Sequence, residues 1–419
     1  MNPAAFARTQ EIAARASTHR AFRWLHLQEQ RIQTWQREAV SIPAPPFGEH
    51  DRASWFADRF REIGLCGVHL DEEGNALGWL RAPQAGEPVV LLSAHLDTVF
   101  SAAVQIAPVQ DGSLLRAPGA ADNGAGLAAL LALAAVSAAE PEAYTANVLF
   151  AANVGEEAEG NLRGMRHIFE RSAVARDVVA SIALEGAGTE TLVTRGLGSR
   201  RFRVVLNGPG GHAWTEPEIA NPVMVLAGAL ARCVAEPIPQ HPRTVFNVGC
   251  LEGGSSVTSI PEQATALVDI RSVSADELVR LEVLLYRSVE DAVLASNAQA
   301  SRGVLTFRIE CIGDRPAGAL DPQSPVLASV RAVDRHLRLR TEERIGSTDA
   351  NLPLAQGRDA VAMGAGGTAG GIHTLKEWYD STGRELALRR ILLVLLDVSS
   401  AEYLQALPAT GRVRGATRS

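Results

Sequence analysis

Seven ionisable residues stand where their types and neighbours permit chemistry. Ala94-His95-Leu96-Asp97-Thr98 follows directly on the apolar run Val89 to Ala94. A histidine at the carboxyl end of a strand can bind a metal, and an aspartate two residues on can orient its ring. The plain alternative is a strand-end His bonded to a neighbouring Asp. In Gly119-Ala-Ala-Asp122-Asn123-Gly-Ala-Gly126 the glycines let backbone approach a helix start closely. Asp122 there is either an N-cap or a carboxylate that bridges two cations. Asn153-Val-Gly-Glu156-Glu157 sets two carboxylates side by side after another apolar run. Adjacent carboxylates repel unless cations are near; otherwise the pair belongs to a solvated loop. With cations, one can ligate while the other takes a proton from water. Leu184-Glu185-Gly186 repeats the pattern, and His373 follows the run Gly366-Gly367-Thr-Ala-Gly-Gly-Ile, whose amides could hold an oxyanion. Two imidazoles and several carboxylates, with no thiolate among them, suit zinc, manganese or cobalt in a hydrolytic site.

The elements that must position these groups follow from periodicity. Val89 to Ala94, Ala146 to Ala152 and Val178 to Leu184 are short apolar runs, the pattern of strands buried on both faces. Helical patterns lie between them: residues 1 to about 40, Arg52 to Ile63, Asp122 onward, and Asn161 to Arg171. Strands alternating with helices imply an α/β fold, a mostly parallel sheet covered by helices. From about Arg195 the texture changes. Arg200 to Leu206, Thr244 to Cys250, Ala264 to Arg271 and Leu305 to Cys311 read as strands. Asn221 to Val234 and Ala275 to Ala295 read as helices. This suits an inserted α+β domain at 197–313, splitting a catalytic domain into 1–196 and 314–419, with hinges near Gly196, Gly198 and Gly313. The Gly/Arg-rich tail from Ala409 reads as frayed.

A chain of 419 residues is long enough for two domains. With 46% hydrophobic and 21% charged residues it reads as a globular protein, and a net charge of -7 argues against a nucleic-acid surface. Cys66, Cys233, Cys250 and Cys311 form no close pair, so neither a disulfide framework nor a thiolate zinc site is suggested; a reducing, cytoplasmic setting fits. No secretory signal is read at the N-terminus. The apolar run Gly124 to Ala139 is too short to span a bilayer and reads as a buried helix, so no membrane association is expected.

The order H-L-D, G-A-A-D-N, G-E-E, L-E-G, G-G-H and G-I-H-T-L-K-E-W resembles the co-catalytic metallopeptidase family of carboxypeptidase G, aminoacylase, peptidase T and peptidase V. The likeness runs from Pro43 to Trp378. It implies two divalent metal ions, zinc first, with manganese or cobalt possible. It implies that His95 and Glu185 hold one ion, Glu157 and His373 the other, and that Asp122 bridges both. Glu156 would be the general base that activates the shared water and then protonates the leaving amine, and Asp97 would support His95. Gly208-Pro-Gly-Gly-His212 resembles the lid and dimerisation domain, whose histidine polarises the scissile carbonyl of its own or a partner subunit. The residues alone also allow His212 as an ordinary loop histidine. The resemblance likewise suggests that Asn247 and Arg271, with Gly366 and Gly367, contact substrate; strand-edge polar positions are the alternative for the first two.

The resemblance implies hydrolysis of an amide bond, and a homodimer formed through the inserted domain. Glu at position 185 goes with carboxypeptidase- and aminoacylase-type relatives, whereas Ser347-Thr348-Asp349-Ala-Asn351 and the His373 stretch look closer to peptidase T. A di- or tripeptide exopeptidase is the first reading. A hydrolase of N-acyl amino acids is the second, and a silent metal-binding scaffold the third. Glu156 speaks against the scaffold, which would not need it beside Glu157.

Overall fold

The computed structural model describes residues 2–407; the tail from Ala409 lies outside the described residues. Residues up to Gly196 and from Ala319 onward form one compact unit, and Leu197–Gly318 forms the other.

In the first unit a sheet runs in the order Cys66–Leu70, Ala76–Trp79, Asn147–Asn153, Val89–His95, Val178–Leu184, Ala360–Met363, Thr191–Gly196, with Glu342–Gly346 also on the last of these. Its centre is parallel: Val89–His95 pairs in parallel with both Asn147–Asn153 and Val178–Leu184, and Ala360–Met363 continues the direction. Every residue of Val89–His95 and of Asn147–Asn153 is buried, because helices cover both faces. Val90, Leu92 and Ala94 face the helix Gly124–Ala138, while Leu91 packs with Met165, Ile168 and Phe169 on the other side. That helix is apolar all round and buried at thirteen of its fifteen residues, as a central helix must be. No helix among the described residues is long and apolar enough to cross a membrane.

Three features differ from the sequence expectation. The N-terminal stretch is three helices, Pro3–Ala14, Ala16–Leu27 and Glu29–Ser41, which break at Arg15 and Gln28 without glycine or proline. Packing imposes the breaks: Ile12, Leu25 and Ile32 all reach the same core. The segment 161–171 is not one helix but a short turn, Arg163–Arg166, followed by a wider turn over His167–Arg171. A second, small sheet runs Thr368–Gly370, Trp378–Asp380, Leu114–Arg116, Val109–Asp111, in strands of three residues that carry no periodic signal.

The second unit is an antiparallel sheet, Thr244–Gly253, Gln263–Ser272, Gly198–Asn207, Thr306–Arg315, with two helices, Pro222–Ala235 and Ala275–Gln299, on one face. Phe202, Val204, Val268 and Ile270 meet Leu226, Leu281 and Leu285 there. The expected hinge at Gly313 falls inside the strand Thr306–Arg315, opposite Arg201, so the junction lies beyond it.

One charged pair ties the first unit together. Arg390, 0% exposed, gives Asp334 bonds of 2.6 and 2.9 Å and donates to the carbonyls of Thr189 and Thr191. Removing one partner of such a pair strands a buried charge. Asp334→Ala is therefore expected to cost about 3–5 kcal/mol in urea unfolding, and Asp334→Asn clearly less; an alanine variant as stable as the parent would contradict this account.

Candidate metal centre

His95 ends the strand Val89–His95 and is 1% exposed. Its Nδ1 lies 3.0 Å from the carbonyl of Asp97, which takes the ring proton there. Nε2 is left to face carboxylates: Asp122 Oδ1 at 3.1 Å and Glu185 Oε1 at 3.5 Å. Asp122 reaches the other way through Oδ2, 3.0 Å from His373 Nε2, and Glu157 Oε1 lies 3.1 Å from the same nitrogen. Two ligand triads result, His95–Asp122–Glu185 and Asp122–Glu157–His373, and Asp122 belongs to both. Glu156 lies within ligand range of His95 and Glu157. The donor set fits two divalent cations: imidazole and carboxylate groups converge, and Glu185 Oε2 is buried with no hydrogen-bond partner.

Local structure explains the convergence. His95, the Glu156–Glu157 turn and Glu185 all follow parallel central strands, so their side chains emerge along one edge of the sheet. Gly155 has φ +68°, and an added Cβ would lie 2.5 Å from Arg163 Cγ, so only glycine fits the turn that aims the two glutamates. Asp97 fixes that turn. Its buried carboxylate accepts the N–H of Glu156 at 2.9 Å and of Glu157 at 2.7 Å. The expected support of His95 comes chiefly from the Asp97 backbone carbonyl, since the carboxylate stands 3.6 Å from the ring. Asp122 sits at the mouth of the helix Gly124–Ala138, where Asn123, not Asp122, is the N-cap. His373 arrives on the loop between Thr368–Gly370 and Trp378–Asp380, with a left-handed φ of +62°.

Some contributors carry no sequence signal for the part they play. Asn123 donates to the carbonyl of Leu184 and accepts from Gly186, tying the Asp122 loop to the Glu185 loop. Arg52, 1% exposed, donates to the carbonyls of Ile42 and Leu96 and so holds the His95–Asp97 turn. Asn153 bonds Asp349 at 2.8 Å beneath the site. Asn123 stands beside Asp122 in the Gly119–Gly126 motif; Arg52 reads as one more charged residue of an amphipathic helix.

The glycine run is corrected at one position. Gly366 donates its N–H to the carbonyl of Gly188 and an added Cβ would strike Ala387 and Arg384, so its amide serves packing and not an oxyanion. In the second unit, Asn247 is exposed opposite Asp269, and Arg271 lies on the same sheet face, bonded to Asp269 at 2.6 Å. Its guanidinium is thus already engaged. His212 ends the two-residue strand Gly211–His212, which pairs with Ser259–Ile260. The amides of Trp214 and Thr215 lie 3.2 and 3.4 Å from its Nδ1, so Nδ1 accepts and the neutral ring carries its proton on Nε2. The exposed edge of His212 is a hydrogen-bond donor.

Residues 75–196 match peptidase family M28, and residues 195–293 match the peptidase dimerisation domain. The chain is 26% identical over 297 residues to a succinyl-diaminopimelate desuccinylase of Pseudomonas syringae pv. syringae, a stretch covering 66% of this chain and 75% of that protein. Among solved structures it resembles aminopeptidase PepT of Bacillus cereus ATCC 10987, with TM-score 0.70, 18% identity, and 88% and 99% of the two chains covered. A tripeptidase of Staphylococcus aureus subsp. aureus mu50 gives TM-score 0.71 at 21% identity, with 88% and 98% covered. Human carnosine dipeptidase 1 gives 0.65 at 12%, with 91% and 99% covered. At such identities these structures speak to the fold.

Without cations the site must hold protons. Burial, with the charges of Glu156 and Asp122, pushes Glu157 up to about 8. Burial raises Glu185 to about 7 against the pull of His95. The bond to Asp122 raises His373 to about 9 against its partial burial. Each group keeps its proton below its raised value, so cations compete with protons there, and metal affinity should climb as pH rises from about 7 to about 9. Calorimetric titration of the chelator-stripped protein, in buffers of differing ionisation heat, should show proton release on metal uptake. Affinity that is flat across that range would contradict the assignment.

Proposed function

We propose that this chain, which matches two peptidase family models and shares the fold of solved peptidases, is a dinuclear metallopeptidase that hydrolyses an amide bond in small peptides as a di- or tripeptide exopeptidase. The observation that carries the reading is Asp122 shared between two ligand triads with Glu156 beside them. His95, Asp122 and Glu185 would hold one divalent cation, and Asp122, Glu157 and His373 the other, with zinc proposed first and manganese or cobalt next. Bound there, the pair would supply Lewis acidity toward the carbonyl and toward an attacking water.

The protein's own groups do the proton work. Glu156 is 4% exposed, its amide is held by Asp97, and its carboxylate lies beside His95 and Glu157. As the water oxygen bonds the carbonyl carbon, Glu156 accepts the water proton. As the C–N bond breaks, Glu156 returns that proton to the leaving nitrogen. His212, with its proton on Nε2, would donate to the carbonyl oxygen as negative charge gathers there, in its own or a partner subunit. Asn247, Gly367 and Arg271 are the proposed substrate contacts; for Arg271 this requires release from Asp269.

Solved peptidases of similar fold support the peptide reading. The second reading, hydrolysis of N-acyl amino acids, is favoured by Glu185 and by the desuccinylase relative. The dimerisation-domain match supports a homodimer through the inserted unit. A cytoplasmic setting is proposed from the wide spacing of the four cysteines in the sequence.

A panel of dipeptides, tripeptides and N-acyl amino acids, assayed with defined metals, tests the two readings against each other. Turnover of free peptides above acylated amino acids is the expected outcome, and turnover of neither class would remove both. Glu156→Ala should lower kcat by at least 100-fold, the low end of general-base effects, with metal content retained; normal turnover would end the role given to it. His212→Ala should lower kcat by about 100–1000-fold, the range for one lost oxyanion donor, with metal affinity intact. An unchanged kcat would make His212 an ordinary loop residue.

A further inference from the structure

The loop that delivers His373 also carries Glu377, which none of the steps above uses. Glu377 is 1% exposed, although it lies one residue before a short surface-sheet strand, Trp378–Asp380. Its Oε1 accepts the amide of Ala121 at 2.8 Å and that of Asp122 at 3.0 Å, and its Oε2 accepts the amide of Gly119 at 3.0 Å. Its own carbonyl accepts the amide of Ala117 at 3.1 Å. The segment 119–122 lies between the strand Leu114–Arg116 and the helix Gly124–Ala138, and Gly119 turns it with φ +75°. Three of its amides thus converge on one buried carboxylate. The last of them belongs to the residue whose side chain stands between His95 and His373.

From this geometry we infer that Glu377 is a positioning residue: a strut between the His373 loop and the Asp122 loop that sets where the Asp122 carboxylate stands. One short loop therefore supplies a metal ligand through His373 and fixes the bridging ligand through Glu377. The two act in a fixed relation, because only Thr374, Leu375 and Lys376 separate them and the Glu377 amide closes a turn on the Thr374 carbonyl. Glu377 touches neither substrate nor cation. It acts through Asp122, and the inference rests on the two-cation reading above. A carboxylate is required because all three partners are donors. An amide in its place would turn an NH2 group toward a backbone N–H.

A peg that merely stabilises the fold would show the same hydrogen bonds, so the test must read the metal site. Glu377→Gln is stripped of metal and titrated with zinc against a competing chelator. Zinc affinity should fall by about 10–100-fold, as for groups that orient metal ligands, and at saturating zinc kcat should fall while KM holds. Glu377→Asp keeps the charge but withdraws it by one methylene, and should recover part of the affinity. The inference is overturned if either folded variant binds zinc and turns over like the parent, or if it loses thermal stability with zinc affinity unchanged. Should the Gln variant not fold, the Asp variant is judged by the same titration, a parental zinc affinity again overturning the inference. The parent protein separates the two claims. If it binds no zinc, the two-cation reading falls; if it binds zinc and the variants match it, only the strut does.

Discussion

Asp122 stands between two imidazoles, 3.1 Å from one and 3.0 Å from the other, and most of the surrounding structure keeps a charged carboxylate in that place. Burial alone would push its proton affinity up. The bonds from His373 and His95 win and hold it well below the usual carboxylate range. Nothing apolar could do this work. The position must be polar on both sides and shielded from bulk water, and it must not move, since a carboxylate that faces two imidazoles serves neither when displaced by an ångström.

Loops at strand ends have little apolar mass with which to pack, so here they are held by carboxylates and amides. Asp97 gathers the amides of Glu156 and Glu157; Asn123 gathers Gly126 and Gly186 while donating to Leu184. Arg52 holds the turn after His95 from behind. Each is a buried polar group with its partners satisfied, which rigidifies, whereas a partly satisfied one would cost stability. The central strands supply the direction of the ligands and this polar scaffold supplies their spacing. The inserted unit solves a simpler problem by the same means: two backbone amides on one ring nitrogen of His212 decide which edge of the ring donates.

The parts legible in the sequence are those with a strong physical reason to be regular. Val89–Leu92 and Val148–Ala152 must be apolar because helices cover both faces, and the carboxylates that follow stand out against that background. The strands Gly198–Asn207 and Gln263–Ser272 of the inserted unit alternate because one sheet face is open and the other packed. The small sheet that positions His373 was not legible, since strands of three residues leave no period to read. The breaks at Arg15 and Gln28 were not legible because tertiary packing, not local chemistry, makes them. Gly366 shows the limit of reading glycines: a glycine run can offer its amides to a ligand, yet at this position it is a close approach of backbone to the helix Arg384–Val398. Arg52 shows the reverse, a working residue with nothing local to mark it.

Charge supports the proposal that the site takes a pair of cations. Asp122, Glu156, Glu157 and Glu185 gather around His95 and His373 in overlapping groups, and two divalent ions would offset much of their negative charge in a desolvated place. Protons are the poorer substitute, and the raised values of Glu157, Glu185 and His373 show where they would sit. The signs agree. A carboxyl raised by burial penalises the fold once the unfolded chain ionises, above about pH 4.5, and a histidine raised by its partners loses its contribution as pH climbs through about 9. Across neutral pH the metal-free protein thus grows weaker in this region as pH rises, while its demand for cations grows. The same carboxylates that would make the site reactive with metal make it unstable without it, so binding and folding here draw on one set of charges.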